Sequence, residues 1–410
     1  MPAEDEAGAL QSRRFLWLYA LASAGGSIAY VPFLTILLPM RVTAMAGNDD
    51  VAWLAYATFF GAIAASLSNI AFGWASDRTR RRAPWIAAGL LASSLLLGAF
   101  GFARSPAAII VLLVGWQLAL NMMLAPLAAW AGDHVPDAQK GRLGGLLAFA
   151  PAAGAAAGVL VTLPGLASAD ARLWLVAGLV VLCVMPVLLL GRPRTIAGLA
   201  REQEIEQSDA QPHGEVVRMW LARLLVQVSE AALFAFLFFW FRAIDPEMTD
   251  ARVAQTFGLI LLGAVPLALL AGRWADRHDR PFAPLTLCAA GAALGLSVMA
   301  AAPGLEAALA GYVLFGLSAS IFLSLHSAQT LRVLPRARHR GRDLGLFNLT
   351  NTGPSLVMPW LTLALVPAFG FTGLFLALAV FALAATLLLL RMPNLSSPLA
   401  KARDACETVN

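Results

Sequence analysis

Gly73-Trp74-Ala75-Ser76-Asp77-Arg78-Thr79-Arg80-Arg81-Arg82-Ala83-Pro84-Trp85 is a basic stretch between two long apolar runs, and its opening returns later in the chain. Gly272-Arg273-Trp274-Ala275-Asp276-Arg277 stands 199 positions further on (272 − 73), again just after an apolar run. Both read G-x-x-x-D-R. A second pair keeps almost the same register: Gly141-Arg142-Leu143-Gly144 is answered by Gly341-Arg342-Asp343-Leu344-Gly345, an offset of 200 (341 − 141). Two echoes in register imply a chain made of two copies of one plan.

The surrounding residues say what that plan is made of. The 410 residues are 59% hydrophobic and only 13% charged, with a mean hydropathy of +0.73, outside the range of soluble globular domains. Apolar runs of about 20 residues cross a hydrocarbon core of roughly 30 Å as helices. Twelve such runs are expected, over 15–40, 52–72, 84–103, 108–131, 143–166, 172–191, 218–243, 254–271, 283–302, 307–331, 345–367 and 371–391. The fold class is therefore all-α membrane protein, divided into a six-helix half (1–191), a linker (192–217) rich in Glu202, Glu204, Glu206 and Asp209, a second six-helix half (218–391) and a tail (392–410). The first run is too long for a signal-peptide core and is expected to stay in the mature chain.

Sorting the 29 basic residues by loop leaves Arg41, Arg104, Arg172, Arg242 and Arg252 on one face and Arg223 inside a run. All the others fall on the opposite face. By the positive-inside rule that face is cytoplasmic and holds both termini, in a bacterial inner (plasma) membrane. The net charge of +5 then reflects topology and not nucleic-acid binding. Cys183, Cys288 and Cys406 make no disulfide or metal pattern.

The Gly73–Trp85 stretch resembles the signature between helices 2 and 3 of the major facilitator superfamily, and its R-R-x-P-W ending is similar to the glycoside-pentoside-hexuronide and sucrose-porter branch. Asn121 to Asp133 (N-M-M-L-A-P-L-A-A-W-A-G-D) and Gly345 to Pro354 (G-L-F-N-L-T-N-T-G-P) lean the same way. The resemblance implies twelve helices with a solute site at midplane between the halves. Sodium-coupled members carry paired aspartates in helix 2 where this chain has Ala65 and Asn69, which points away from sodium. The resemblance also implies a cytoplasmic gate of Asp77, Arg78, Arg81, Asp133 and Arg142 in the first half and Asp276, Arg277 and Arg342 in the second. Arg80 and Arg82 read as solvated topology signals.

Glu230 is the one acidic residue well inside a run. About 12 residues beyond Arg218, it sits roughly 18 Å deep, near midplane. Intramembrane ionisable groups there are functional candidates. Arg223, Gln227 and Glu230 share a helix face at i, i+4 and i+7. Burial favours neutral Glu230 and the guanidinium favours its anion, so Glu230 with Arg223 is the expected proton-coupling pair. Neutral polar groups at midspan (Tyr30, Gln117, Asn121, Gln227, Asn348 and Asn351), with Trp116 and Trp360 as flat apolar faces, suit a hydroxyl-rich solute. His326, near the inner end of helix 10, weighs least among these candidates.

The expectation is proton-coupled symport of a neutral sugar or glycoside by a monomer, with no cofactor beyond the coupling proton and no metal. The alternatives are a drug or metabolite exporter working by proton antiport, and a non-transporting assembly factor or receptor. An enzyme is not expected, for no catalytic triad, metal cluster or phosphate-cradling loop is legible.

Overall fold

The computed structural model describes residues 10–46, 49–163, 165–194, 196, 213–245, 247, 250–334 and 339–392. They form twelve helices: α1 (Arg13–Ala46), α2 (Asp50–Thr79), α3 (Arg82–Ala99), α4 (Pro106–His134), α5 (Lys140–Leu147 continued by Phe149–Thr162), α6 (Ala169–Leu190), α7 (His213–Ile244), α8 (Asp250–Arg277), α9 (Ala283–Ala300), α10 (Leu305–Val333), and a final run, Arg340–Leu390. Gly370, at φ 63° and ψ −172°, divides that run into α11 (340–369) and α12 (371–390). A side chain is strained at this φ, so a glycine makes the turn.

Ten stretches of the described residues are long and apolar enough to cross a membrane. The chain is an all-α integral membrane protein. Leu91, Val111, Leu182, Leu189, Leu259, Leu287 and Val380 all project outward with more than half their surface exposed, an arrangement that suits lipid and not water. Of the linker, residues 195 and 197–212 lie outside the described residues, as do 393–410 of the tail.

Helix ends follow local chemistry. Ser12, Ser105 and Ser168 each accept a hydrogen bond from a first-turn N–H of α1, α4 and α6, satisfying donors that a helix start leaves open. Pro32 interrupts α1, which passes through a π-turn at Phe33–Leu37 and resumes, because proline lacks the N–H the next turn needs. The internal echo is structural as well. Just beyond the two G-x-x-x-D-R motifs the chain turns through left-handed residues, Arg80 at φ 52° and Asp279 at φ 50°, again 199 positions apart.

Within the first six helices α1 packs on α5 and α6, and α4 on α2 and α3; within the second six α7 packs on α10 and α11, and α9 on α10. The two sets meet along α2 with α11, and α5 with α8 and α10. Everything that follows lies on these crossings.

Candidate functional site

At the basic end, two latches join the sets in the same way. Asp77, in the last turn of α2, accepts the backbone N–H groups of Gly341 and Arg342 at the start of α11, both at 3.0 Å. Asp276, in the last turn of α8, accepts those of Gly141 (2.9 Å) and Arg142 (2.7 Å) at the start of α5. Each aspartate therefore caps a helix of the opposite set, where free N–H groups and the helix dipole favour a carboxylate.

The approach depends on glycine. A Cβ on Gly73 would sit 2.2 Å from the Gly341 carbonyl oxygen, and one on Gly272 would sit 2.0 Å from that of Gly141. No side chain fits either crossing.

Buried ions surround each latch. Arg82, with its side chain only 8% exposed, bridges Asp77 (2.7 Å) and Asp133 (2.9 Å) and donates to Ser76 Oγ. Arg340 reaches across to Asp133 (3.2 Å) and the Gly132 carbonyl (2.8 Å). In the other latch Arg332 meets Asp276 (3.3 Å) and Asp137, and Lys140 pairs with Asp137 and donates to the Leu331 carbonyl (3.1 Å). Lys140 and Arg340 thus occupy equivalent positions, each tied to a carbonyl at the end of the opposite set's fourth helix.

The expected gate changes in its details. Arg82, read as solvated, is the buried bridge of the first latch, because the turn after α2 folds it back toward Asp77. Arg142 and Arg342 contribute backbone N–H groups, and the Arg342 guanidinium pairs with Asp343. Arg78 lies over the Trp74 ring, Arg81 is exposed in the extended residue before α3, and Arg277 borders a surface depression with Trp274 and His278. Arg332, Arg340, Lys140 and Asp137 went unremarked, although the repeat register carried a signal: Asp133 and Arg332 are 199 apart, and Lys140 and Arg340 directly precede the paired Gly-Arg. Truncating Arg82 to Ala should lower thermal stability by about 3 kcal/mol, since two carboxylates lose a buried partner. Truncating exposed Arg80 should stay within about 0.5 kcal/mol; thermal melts of the two purified variants check this.

Deeper, α7 supplies a polar stripe. Arg223 donates to Ser327 Oγ (3.0 Å), His326 Nδ1 (3.3 Å) and the Leu323 carbonyl (3.5 Å) on α10, and to Asn351 Oδ1 (3.2 Å) on α11. Asn351 in turn donates to Asn348 Oδ1 (2.7 Å), which fixes its amide orientation. His326 Nε2 lies 3.0 Å from the Met219 carbonyl. A carbonyl only accepts, so Nε2 carries the hydrogen and Nδ1 is left as the acceptor for Arg223. His326, which weighed least in the sequence, is thus fully buried and orients the guanidinium.

One turn on, Gln227 Nε2 donates to Glu230 Oε2 at 3.0 Å, while the buried Gln227 Oε1 has no partner among the described residues. Tyr30 of α1 and Tyr312 of α10 lie within electrostatic reach of Glu230. Tyr30 is 38% exposed and Asn351 is exposed too, although Asn351 lies about 15 Å along α11 from its latch. Polar groups of both sets thus keep accessible surface at this depth.

Other expected contacts lie elsewhere. Trp116 is fully buried and packs edge to face on Phe33, ring centres 4.7 Å apart, so it belongs to the core of the first set and not to the cavity wall. Gln117 and Asn121 are buried as well: Asn69 donates to Asn121 Oδ1 (2.8 Å) and Asn121 to the Gln117 carbonyl (2.9 Å), which joins α2 to α4. Polar groups as interhelical glue explain them. The Trp360 side chain lies outside the described residues.

Residues 219–405 match the sequence profile of the Major Facilitator Superfamily. No curated protein sequence matches the chain significantly. Among solved structures, the human organic anion transporter MFSD10 (TETRAN) superposes with a TM-score of 0.71 at 14% identity, over 92% of this chain and 99% of that one. The proton:xylose symporter XylE gives 0.71 at 13% identity, over 92% and 95%. A bacterial homologue of the iron transporter ferroportin, in its outward-facing state, gives 0.68 at 16% identity, over 92% and 98%. Over 92% of its length the chain has the fold of these transporters, and residues 219–405, most of its second half, match the Major Facilitator Superfamily by sequence. Nothing in these comparisons singles out the sucrose-porter branch.

Proposed function

We propose that the protein is a proton-coupled secondary active transporter of a small hydroxylated solute of the sugar or glycoside class, working by alternating access. The observation that carries this reading is the polar stripe Arg223, Gln227 and Glu230 of α7, read as one wall of a solute cavity between the two sets, while two latches close the basic end beneath it. On the positive-inside reading that end is cytoplasmic, so the site is sealed from inside and its opening is outward.

Alternation requires the latches to break and re-form. Bonds from a carboxylate to backbone N–H groups suit this, because water replaces them at modest net cost: each is worth about 1.5–3 kcal/mol. Glu230 is the group that would carry the proton. The cavity's neutral partners, Asn348, Asn351, Gln227 and Tyr30, support a hydroxyl-bearing solute, since each offers a donor or acceptor to a hydroxyl. The solved structures of this fold named above serve a xylose symporter, an organic anion transporter and an iron transporter's homologue, so fold alone does not choose the solute.

Uptake into proteoliposomes of labelled mono- and disaccharides and of sugar acids, under an imposed pH gradient, an imposed sodium gradient, or neither, tests this function. Accumulation is expected with the inward proton gradient only. Accumulation that follows an outward proton gradient would replace symport with antiport, and no movement of any solute would leave the scaffold without a transport role.

A further inference from the structure

Arg223 is the charge whose surroundings are least balanced. Every acceptor it meets is neutral: a carbonyl, a hydroxyl, the Nδ1 of a neutral imidazole and an amide oxygen. No carboxylate lies within ion-pair distance of it among the described residues, whereas Arg82, Arg332 and Arg340 each meet at least one. A guanidinium inside a membrane span is costly unless it is paired or hydrogen-bonded. Here it is also held in place, by His326 and Ser327 on α10 and by the exposed Asn351 on α11. A planar fork of fixed orientation that no carboxylate of the described residues pairs with is the arrangement that recognises a carboxylate through two parallel bonds.

We propose that Arg223 anchors a carboxylate on the transported solute, so that the substrate is an acidic, hydroxyl-bearing molecule and not a neutral one. This rests on the transport reading above. Among the described residues, the charged and titratable groups facing the site are Arg223 and Glu230 on α7, His326 and Tyr312 on α10, and Tyr30 on α1. His326 is held neutral by its bonds, so the charge count falls to Arg223, Glu230 and the solute. Empty, the cavity holds one cation and one carboxylate and is neutral. When the solute carboxylate docks on Arg223, a proton on Glu230 restores neutrality, and both the loaded and the empty carrier cross without net charge. A neutral solute entering with the same proton would instead move one positive charge per cycle.

Gln227 fits this exchange. Its Nε2 donates to the Glu230 carboxylate while Oε1 stays unpartnered among the described residues. Once Glu230 is protonated, a flipped amide accepts from the new hydroxyl through Oε1 and turns Nε2 toward the solute.

The experiment pairs acids with neutral counterparts in proteoliposomes: gluconate and glucuronate against glucose and glucuronamide. Each is driven by a pH gradient, with the membrane potential clamped at zero or set inside-negative by potassium and valinomycin. The acids are expected to accumulate equally at both potentials, and their neutral partners to stay out. Arg223→Gln should lower acid uptake about 100-fold, as loss of one partner of a buried charge pair does, while Arg223→Lys should retain about a tenth. If Arg223→Gln does not yield folded protein, Asn351→Ala supplies the second variant, with KM for the acid raised and kcat kept. Preference for the neutral partners, with uptake that rises at inside-negative potential, would overturn the carboxylate anchor and leave the transporter intact. Failure of every probe to move would remove the transport reading itself.

Discussion

With the membrane potential held at zero, a Glu230→Gln variant should come to a solute ratio of one across the membrane and go no higher. In the unaltered protein a gradient of about 2 pH units is worth about 2.7 kcal/mol per proton, enough for about 100-fold accumulation at one proton per solute. Glutamine has the shape of the neutral acid but cannot release a proton, so the variant keeps a competent site and loses its link to the gradient. Exchange of labelled for unlabelled solute across the same membrane should stay within about threefold of the original, because exchange needs no return of an empty carrier. The Gln227 contact survives, since the amide oxygen still accepts from Nε2. Accumulation above a ratio of one in this variant would move the proton site elsewhere, and loss of exchange as well would make Glu230 a binding or packing group.

The second large effect belongs to the latches. Leucine at Gly272 would drive its Cβ to 2.0 Å from the Gly141 carbonyl oxygen, backbone that cannot yield. Overpacking of this kind costs about 1–3 kcal/mol, and separating the helices also breaks the two bonds to Asp276. A total near 4 kcal/mol would shift the closed-to-open equilibrium about 1,000-fold. Active uptake should fall at least 100-fold while the purified protein still elutes as folded material, because only one conformation is penalised. Leucine at Gly178 of α6, where a Cβ meets nothing within 4 Å, should leave uptake unchanged. Equal losses in the two variants would mean that glycine packing affects folding and not the cycle.

The fold was legible because a membrane reduces it to a few strong signals. Helix number followed from run length, and the two-fold plan from motifs about 200 residues apart, for hydrophobic runs and glycine-aspartate turns are local features. The helix ends extend past the apolar runs, as in α2 and α10, because the polar last turns carry the latches. The site was legible in part. Glu230 and Arg223 stood out since charge is rare at that depth. Which arginine turns inward depends on the backbone path, and Arg82, one residue from exposed Arg81, shows that a basic cluster does not reveal its buried member. Trp116, Gln117 and Asn121 went to the core because midspan depth says nothing about which side of a helix faces the cavity. The aspartates stood out as the paired residues of the repeated motif, but their partners did not: main-chain N–H groups have no sequence signature beyond the glycines that let helices touch.

The most direct test of the central claim, that the latches at the basic end decide which face reaches the Arg223 and Glu230 cavity, is the accessibility of one cysteine. Placed at Asn351 in a chain whose Cys183, Cys288 and Cys406 are replaced, it can be labelled with a membrane-impermeant maleimide from either side of oriented vesicles. With the latches intact, labelling should come from the face opposite the basic loops; with Gly272→Leu added it should switch to the basic face. Labelling from the same face in both proteins would contradict the account.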